Sequence, residues 1–141
     1  MKKYRVFHFS RNDDCLGYGD GREIKLGKTL SVEGQPILCQ HGLHGSISIL
    51  DALKYASGSH LWAAEIWGNV QVDDDKLCGN YRVPIREYGD ILPLIVEFAF
   101  MCSKRAAEYA EYAAKYAYAA EYATQERMYQ ENWWKEKLAQ L

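Results

Sequence analysis

The carboxyl-terminal part of the sequence has almost none of the residues that interrupt a helix. From Asp90 onward it holds no glycine and one proline, Pro93. Residues 106–123 consist only of Ala, Tyr, Glu and Lys, and three of these types are good helix formers. One continuous helix after Pro93 would span roughly 70 Å, whereas the preceding residues can form a domain of about 25–30 Å. We therefore expect the helix to fold back on itself or to pair with another chain.

Alanines recur in this helix at alternating steps of four and three residues. They are Ala106, Ala110, Ala113, Ala117 and Ala120. This heptad spacing is typical of a helix-packing seam, and small side chains let two helices approach closely. The sequence leaves two partners possible for this seam: the second arm of a hairpin in the same chain, or a second copy of the chain in a helical bundle. A tyrosine-lined binding face is a third alternative. We expect the seam to be an oligomerisation surface of a homo-oligomer.

The sequence also lacks an excess of positive charge, a closely spaced cysteine pair and a long apolar run. Its net charge of −2 argues against binding nucleic acid through a general basic surface. The cysteines are single and far apart, which favours reduced thiols. No apolar run reaches the ~20 residues that cross a bilayer. We expect a cytoplasmic protein without membrane contact. The cysteines are Cys15, Cys39, Cys78 and Cys102.

Residues 1–89 alternate short apolar segments with turn residues. Segments 4–9, 61–72 and 77–83 are rich in apolar and aromatic residues and predict strands, with a bend at Gly68. A further strand is expected to begin at 37–39, and 84–89 to link the last strand to the long helix. A short helix follows Ser46 or Ser48 as N-cap, with Ile47, Leu50 and Leu53 on its buried face.

These patterns predict an α+β fold. Residues 1–89 form a small curved, mainly antiparallel sheet with one short helix, and residues 90–141 form a long helix or a helical hairpin.

Histidine is scarce, and two of the four histidines lie in informative surroundings. Strand alternation places His8 on the face opposite Phe7 and Phe9, which leaves it facing a cleft if the phenylalanines enter the core. His44 lies between two glycines just before the predicted helix, where a ligand can approach the backbone and an anion is favoured. We expect His8 and His44 to line one crevice with Ser10, Arg11 and Ser46; a purely structural role for each histidine is the alternative.

Cys39, His41 and His44 are three potential metal ligands within six residues. Strand alternation sends Cys39 and His41 to one face and His44 to the other, and the spacing matches no common zinc pattern. We predict no metal.

Several short motifs resemble the ADP-ribosyltransferase fold. They are Phe7-His8-Phe9-Ser10, then Gly42-Leu43-His44-Gly45-Ser46 with Ala52, Tyr55 and Ala56 in the next helix, then the strand at 62–70 ending in Gly68-Asn69-Val70. The branch with histidines on two early strands, which includes RNA 2′-phosphotransferases, is the nearest match.

The resemblance implies a nucleotide-shaped crevice that takes NAD or a related nucleotide, with no resident cofactor. In an enzyme of this kind His8 and His44 would be catalytic. Arginines hold phosphates in the two-histidine branch, and Arg11 and Arg82 are available for that role. The ligand-binding residues that we predict are His8, Ser10, Arg11, Gly42, His44, Ser46 and Tyr55.

One departure from the transferase pattern bears on catalysis. Many of these enzymes carry a glutamate on a late strand, but segment 77–83 has no carboxylate. Glu87 lies beyond that segment and Glu65 on an earlier one. We therefore expect binding without efficient turnover.

Over nearly its whole length the chain also resembles a family of small, uncharacterised phage and prophage proteins with Ala-rich carboxyl-terminal helices. The likeness rests on 38–44, on the helix with Asp51, Ala52, Leu53 and Tyr55, and on 73–76. It implies a phage accessory protein in the host cytosol that binds a nucleotide-like ligand or a host factor, with a component of host defence as one candidate. An NAD-dependent ADP-ribosyl- or 2′-phosphotransferase and a purely structural interaction module are the alternatives.

Overall fold

The computed structural model describes residues 1–17, 20–113 and 119–141, without the side chains of 112, 113 and 119–121. The chain forms two compact units, Met1–Ile91 and Leu92–Leu141. The predicted α+β fold is confirmed: the described residues form seven strands, in two antiparallel sheets, and three helices. The strands are β1 (Tyr4–Ser10), β2 (Leu30–Ser31), β3 (Leu43–Gly45), β4 (His60–Trp67), β5 (Gln71–Val72), β6 (Leu77–Gly79) and β7 (Tyr81–Asp90). The helices are α1 (Ile49–Lys54), α2 (Leu92–Ala113) and α3 (Ala119–Ala139).

The larger sheet has the strand order β1-β4-β7-β2. β4 lies inside it, paired with β1 on one side and β7 on the other. Leu61, Trp62, Ala63 and Ala64 are all buried, so this part of β4 is covered on both of its faces. Register irregularities in β4 between Leu61 and Trp62, and between Ala63 and Ala64, interrupt its pairing with β7.

The smaller sheet, in the order β3-β6-β5, contributes to the same core. Leu43 packs in one cluster with Trp62, and Leu77 in another with Val6 and Ile66. The two sheets approach closely at Gly45. A Cβ atom there would lie 2.5 Å from Cγ2 of Val6, so only glycine fits without a shift.

The short helix α1 begins where the sequence indicated, with Ser48 as its N-cap. The Ser48 hydroxyl accepts a hydrogen bond from the Leu50 backbone N–H at 3.2 Å. The predicted buried face was wrong. Ile47 precedes the helix and is 63% exposed, and the helix buries Ile49 and Ala52 instead.

Two further predictions, a strand at 37–39 and a linker at 84–89, were also wrong. Segment 37–39 is not a strand, because the Ile37 N–H donates to the His41 carbonyl and the chain reverses. Cys39 takes a left-handed conformation in this turn, with φ 64. Residues 84–89 are not a linker, because β7 continues to Asp90. Pro84 is tolerated in β7 since it pairs with Ala64 at one of the register irregularities.

The second unit is a helical hairpin, one of the two predicted forms. Glu97 pairs with Lys137 at 2.8 Å near the open end of the hairpin. Farther along, Arg105 pairs with Glu126 at 2.8 Å. The Tyr109 ring stacks on Tyr122, with 3.6 Å between ring centroids. The helices α2 and α3 are therefore antiparallel.

Two alanines of the predicted seam, Ala106 and Ala110, are exposed on α2 and lie away from this contact. Packing of the seam against another chain stays a prediction. Ala117 lies outside the described residues, and the side chains of Ala113 and Ala120 are likewise outside the description. No helix in the described ranges is both long and apolar enough to cross a membrane.

Candidate functional site

A pocket of about 620 Å³ lies in the first unit, beside the end of β1, β3 and the turn that precedes β3. All the residues predicted to bind a ligand line this pocket. They are His8, Ser10, Arg11, Gly42, His44, Ser46 and Tyr55. The structure therefore brings them together, and whether they bind a ligand stays a prediction.

Backbone pairing brings β3 to the edge of β1. The Phe7 N–H donates to the Ser46 carbonyl at 2.7 Å, and the Ser46 N–H donates to the Phe7 carbonyl at 3.0 Å. Along β1, His8 and Ser10 share one face because strand side chains alternate. The Ser10 hydroxyl is buried and accepts a hydrogen bond from Trp62 Nε1 at 3.0 Å. This bond fixes Ser10 in one position at the pocket wall.

Arg82 is the most unusual residue of the pocket. It is only 2% exposed although it carries a charged guanidinium group. Its Nη1 donates to the His44 carbonyl at 2.7 Å, while the buried Nη2 has no hydrogen-bond partner among the described residues. Buried arginines are normally paired with a carboxylate or a phosphate. Arg82 thus offers a donor and a positive charge without a matching acceptor.

Burial, helped by the nearby positive charge of Arg22, lowers the pKa of Arg82 to about 10, while the negative charge of Asp20 acts in the opposite direction. Asp20 itself is engaged with Arg22, whose Nε and Nη2 donate to its carboxylate at 2.8 and 3.0 Å. Lys76 and Arg11 add positive charge to the pocket lining, although Arg11 is paired with Asp13 at 2.5 Å. The described lining is therefore net positive.

His8 lies in this positive environment. Desolvation lowers its pKa well below the usual 6.5, and the charges of Arg82 and His44 lower it further. At neutral pH the His8 imidazole is consequently uncharged and can donate from one nitrogen and accept at the other.

His44 holds the turn at Cys39. Its Nε2 accepts a hydrogen bond from the Cys39 N–H at 3.0 Å, which leaves Nδ1 protonated and 3.1 Å from the Gly42 carbonyl. Burial lowers the pKa of His44, which is consistent with a neutral ring. Because both ring nitrogens are engaged, His44 supports the pocket wall and has no free nitrogen for a ligand in this conformation.

Three residues that were not among the predicted ligand-binding residues also line the pocket. Cys39 is exposed, and Lys76 Nζ lies 2.5 Å from its Sγ. Lys76 also lies over the ring of Tyr55, 4.5 Å from its centroid, and the Tyr55 hydroxyl donates to Asp75 at 2.7 Å. The third residue is Asp20. No local pattern indicated that Cys39 and Lys76 meet at a pocket, because 37 residues separate them along the chain.

Neither glutamate considered for catalysis belongs to the described pocket lining. Glu87 binds His60 Nε2 at 2.8 Å, and Asp14 lies 3.1 Å from His60 Nδ1. These three residues are close enough together to hold a metal ion, but both nitrogens of the ring already face carboxylates. Among the described residues that line the pocket, Asp20 is the one carboxylate.

The potential metal-ligand atoms of Cys39, His41 and His44 each have another partner, which for His44 Nε2 is the Cys39 N–H. The His41 ring lies 2.5 Å from the Glu33 carbonyl oxygen, whereas Cys39 contacts Lys76.

Comparison with known proteins gives no relative: no family model matches the chain, and no curated protein or solved structure matches it either.

Proposed function

We propose that the pocket binds a small anionic ligand of the nucleotide class, with a phosphate group at Arg82, and does not turn it over efficiently. The observation that carries this proposal is the enclosed guanidinium group of Arg82, whose Nη2 lacks a partner among the described residues.

The energetic argument rests on the burial of that charge. Lowering the pKa of an arginine from 12.5 to about 10 corresponds to roughly 3 kcal/mol of unfavourable environment for the charged form. A phosphate within hydrogen-bond distance would recover part of this energy, because charge-assisted hydrogen bonds to phosphate are among the strong ones. An uncharged acceptor would recover less of this energy, because it carries no negative charge to pair with the guanidinium.

The ligand class follows from the rest of the lining. A cavity of about 620 Å³ falls in the range typical of small-molecule sites. Its described wall combines polar groups on Ser10 and His8 with the apolar side chains of Phe7, Leu16 and Val32. A phosphate joined to a sugar and a flat base has both kinds of surface, which favours a nucleotide over free phosphate.

Inefficient turnover is supported by what the pocket offers for catalysis. Departure of a leaving group from a ribose carbon creates positive charge, which a carboxylate would stabilise. The carboxylate of Asp20 is engaged with Arg22, and the remaining charges of the described lining are positive. The ring nitrogens of His44 are engaged with the backbone. His8, with a neutral ring, is the residue that an enzymatic function would use as a base.

The test is a thermal-shift series with ADP-ribose, NAD and inorganic phosphate. We expect at least one nucleotide to raise the unfolding temperature of the wild type, and Arg82→Lys to reduce that shift strongly, because an ammonium lacks the two-pronged donor geometry. Arg86→Lys is the matched control, since Arg86 lies on the same strand but is exposed and outside the described lining. Equal loss in both variants, or no shift with any probe, would contradict the proposal.

Catalysis is tested separately with labelled NAD in host lysate. We expect little incorporation of label. Strong labelling that disappears in His8→Ala or His44→Ala would identify a transferase instead of a binding protein.

The biological setting that we propose rests on the resemblance to small phage proteins: a cytosolic accessory protein that sequesters a nucleotide-like signal or a host factor. Assembly through α2 suits this role, because symmetry multiplies binding sites. Assembly is supported by a charge-free stripe of exposed residues on α2, which continues the heptad spacing of the alanine seam. The stripe consists of Leu92, Val96, Ala99, Ser103, Ala106 and Ala110, with Phe100 alongside. We propose a second copy of this chain as its partner.

A further inference from the structure

The four cysteines differ sharply in their surroundings. Cys78 is fully buried, and burial raises the pKa of its thiol. Cys102 is partly buried, and burial and the charge of Glu126 raise the pKa of its thiol as well. Cys15 is partly buried, whereas Cys39 is exposed. A thiol reacts as its thiolate, and burial away from cations suppresses that form. Exposure therefore favours Cys39 as the reactive cysteine.

Lys76 gives Cys39 a cationic neighbour. Its Nζ lies 2.5 Å from Sγ, and the hydrogen bond to the sulfur raises the pKa of Lys76, so the ammonium form is retained at neutral pH. A lysine beside a thiol is one of the surroundings in which protein cysteines act as nucleophiles.

The backbone of Cys39 is held so that the thiol stays at the pocket. Its left-handed conformation, with φ 64, is costly for a residue other than glycine. The His44 ring fixes this turn by accepting the Cys39 N–H, and Arg82 in turn donates to the His44 carbonyl. Cys39 is thus connected through one residue to the enclosed arginine, whose Nη2 has no acceptor within the described part of the chain. The thiol and the proposed anion site share one pocket.

We propose that Cys39 is a nucleophilic thiol of the pocket, assisted by Lys76, and that small hydroperoxides are the class of electrophile that modifies it. The thiolate sulfur attacks the terminal oxygen of the hydroperoxide. A sulfur–oxygen bond forms as the oxygen–oxygen bond breaks, and the leaving alkoxide or hydroxide takes a proton from the Lys76 ammonium. The sulfur is oxidised by two electrons to a sulfenic acid, and the peroxide is reduced to an alcohol or water.

Reactivity is measured first with iodoacetamide, a neutral probe that the charge of Lys76 does not attract. Mass spectrometry of the peptides follows labelling of each cysteine over time. We expect Cys39 to be labelled first and Lys76→Met to slow its labelling roughly 10-fold. Lys76→Arg should retain fast labelling because it keeps the charge. Lys54→Met is the control, since Lys54 binds Asp51 and Asp75 at the same rim.

Treatment with hydrogen peroxide, followed by a dimedone trap for sulfenic acid, should mark Cys39 ahead of Cys15. The proposal is overturned if Cys15 reacts as fast as Cys39, if Lys76→Met leaves the labelling rate of Cys39 unchanged, or if Lys76→Arg behaves like Lys76→Met. These readouts need no bound nucleotide, so they stand or fall independently of the proposed ligand.

Discussion

Acid should destabilise this protein through His8. The pKa of His8 is lowered in the folded chain by desolvation and by the charges of Arg82 and His44, while in the unfolded chain it returns to the usual 6.5. Below pH 6.5 the unfolded state consequently binds more protons than the folded state. The free energy of unfolding is unaffected by His8 above that pH and falls as the pH drops below it.

The magnitude follows from proton linkage. One histidine that stays neutral in the folded state reduces the free energy of unfolding by at most about 1.4 kcal/mol per pH unit. Between pH 6.5 and 5 His8 therefore contributes a loss of up to roughly 2 kcal/mol. His44 has a lowered pKa as well and adds a loss of the same sign. The lowered pKa of Asp20 acts only at more acidic pH, near its usual 3.8.

The assay is urea unfolding of wild type and His8→Asn at several pH values from 8 to 5. At pH 8 the difference between them reports only the change in packing, because both side chains are neutral there. We expect the wild type to lose up to about 2 kcal/mol more than the variant on going to pH 5. If the free energy of unfolding falls equally with pH in both proteins, His8 takes up a proton as readily in the folded state as in the unfolded state. That result would refute the described environment of the pocket.

Two further predictions concern packing and assembly. Gly45→Ala should lower the free energy of unfolding by about 1–3 kcal/mol, because the added Cβ would lie 2.5 Å from Val6 Cγ2. The control Gly17→Ala should change it far less, because its nearest contact among the described residues would be 3.8 Å away. Equal urea midpoints for the two variants would contradict the close approach of the sheets. Ala110→Glu should split an oligomer of the wild type in light scattering, since it places a charge in the exposed apolar stripe of α2. A wild type that is monomeric at micromolar concentration would end the proposal that a second copy covers this stripe.

The elements predictable from sequence are those in which the local pattern and the tertiary contacts agree. β1 is apolar or aromatic at most positions, Ser48 has the side chain of an N-cap, and the carboxyl-terminal segment lacks helix breakers. The turn at Cys39 was not predictable, because Ile37-Leu38-Cys39 has the composition of a strand. The turn is held by Gln71, which lies 33 residues from its partner Leu38, and by Lys76, which lies 37 residues from Cys39.

The same limit applies to the site. His8 and His44 could be selected because strand alternation and flanking glycines are local signals. Arg82 was a candidate for holding phosphate, but its burial depends on the pairing of β7 with β4 and on the His44 carbonyl above it. The face of α2 that meets α3 was likewise not predictable, since a repeat of small residues does not reveal which helix face meets which partner. Stacking of Tyr109 on Tyr122 and the Arg105–Glu126 pair fix that face instead.

The central claim, that an anionic ligand is held at Arg82, is tested most directly by a crystal structure with ADP-ribose at saturating concentration. We predict density for the ligand in the pocket, with a phosphate oxygen within hydrogen-bond distance of Arg82 Nη2, the donor that lacks a partner among the described residues. An empty pocket under these conditions, or a ligand whose phosphates lie away from Arg82, would contradict the account.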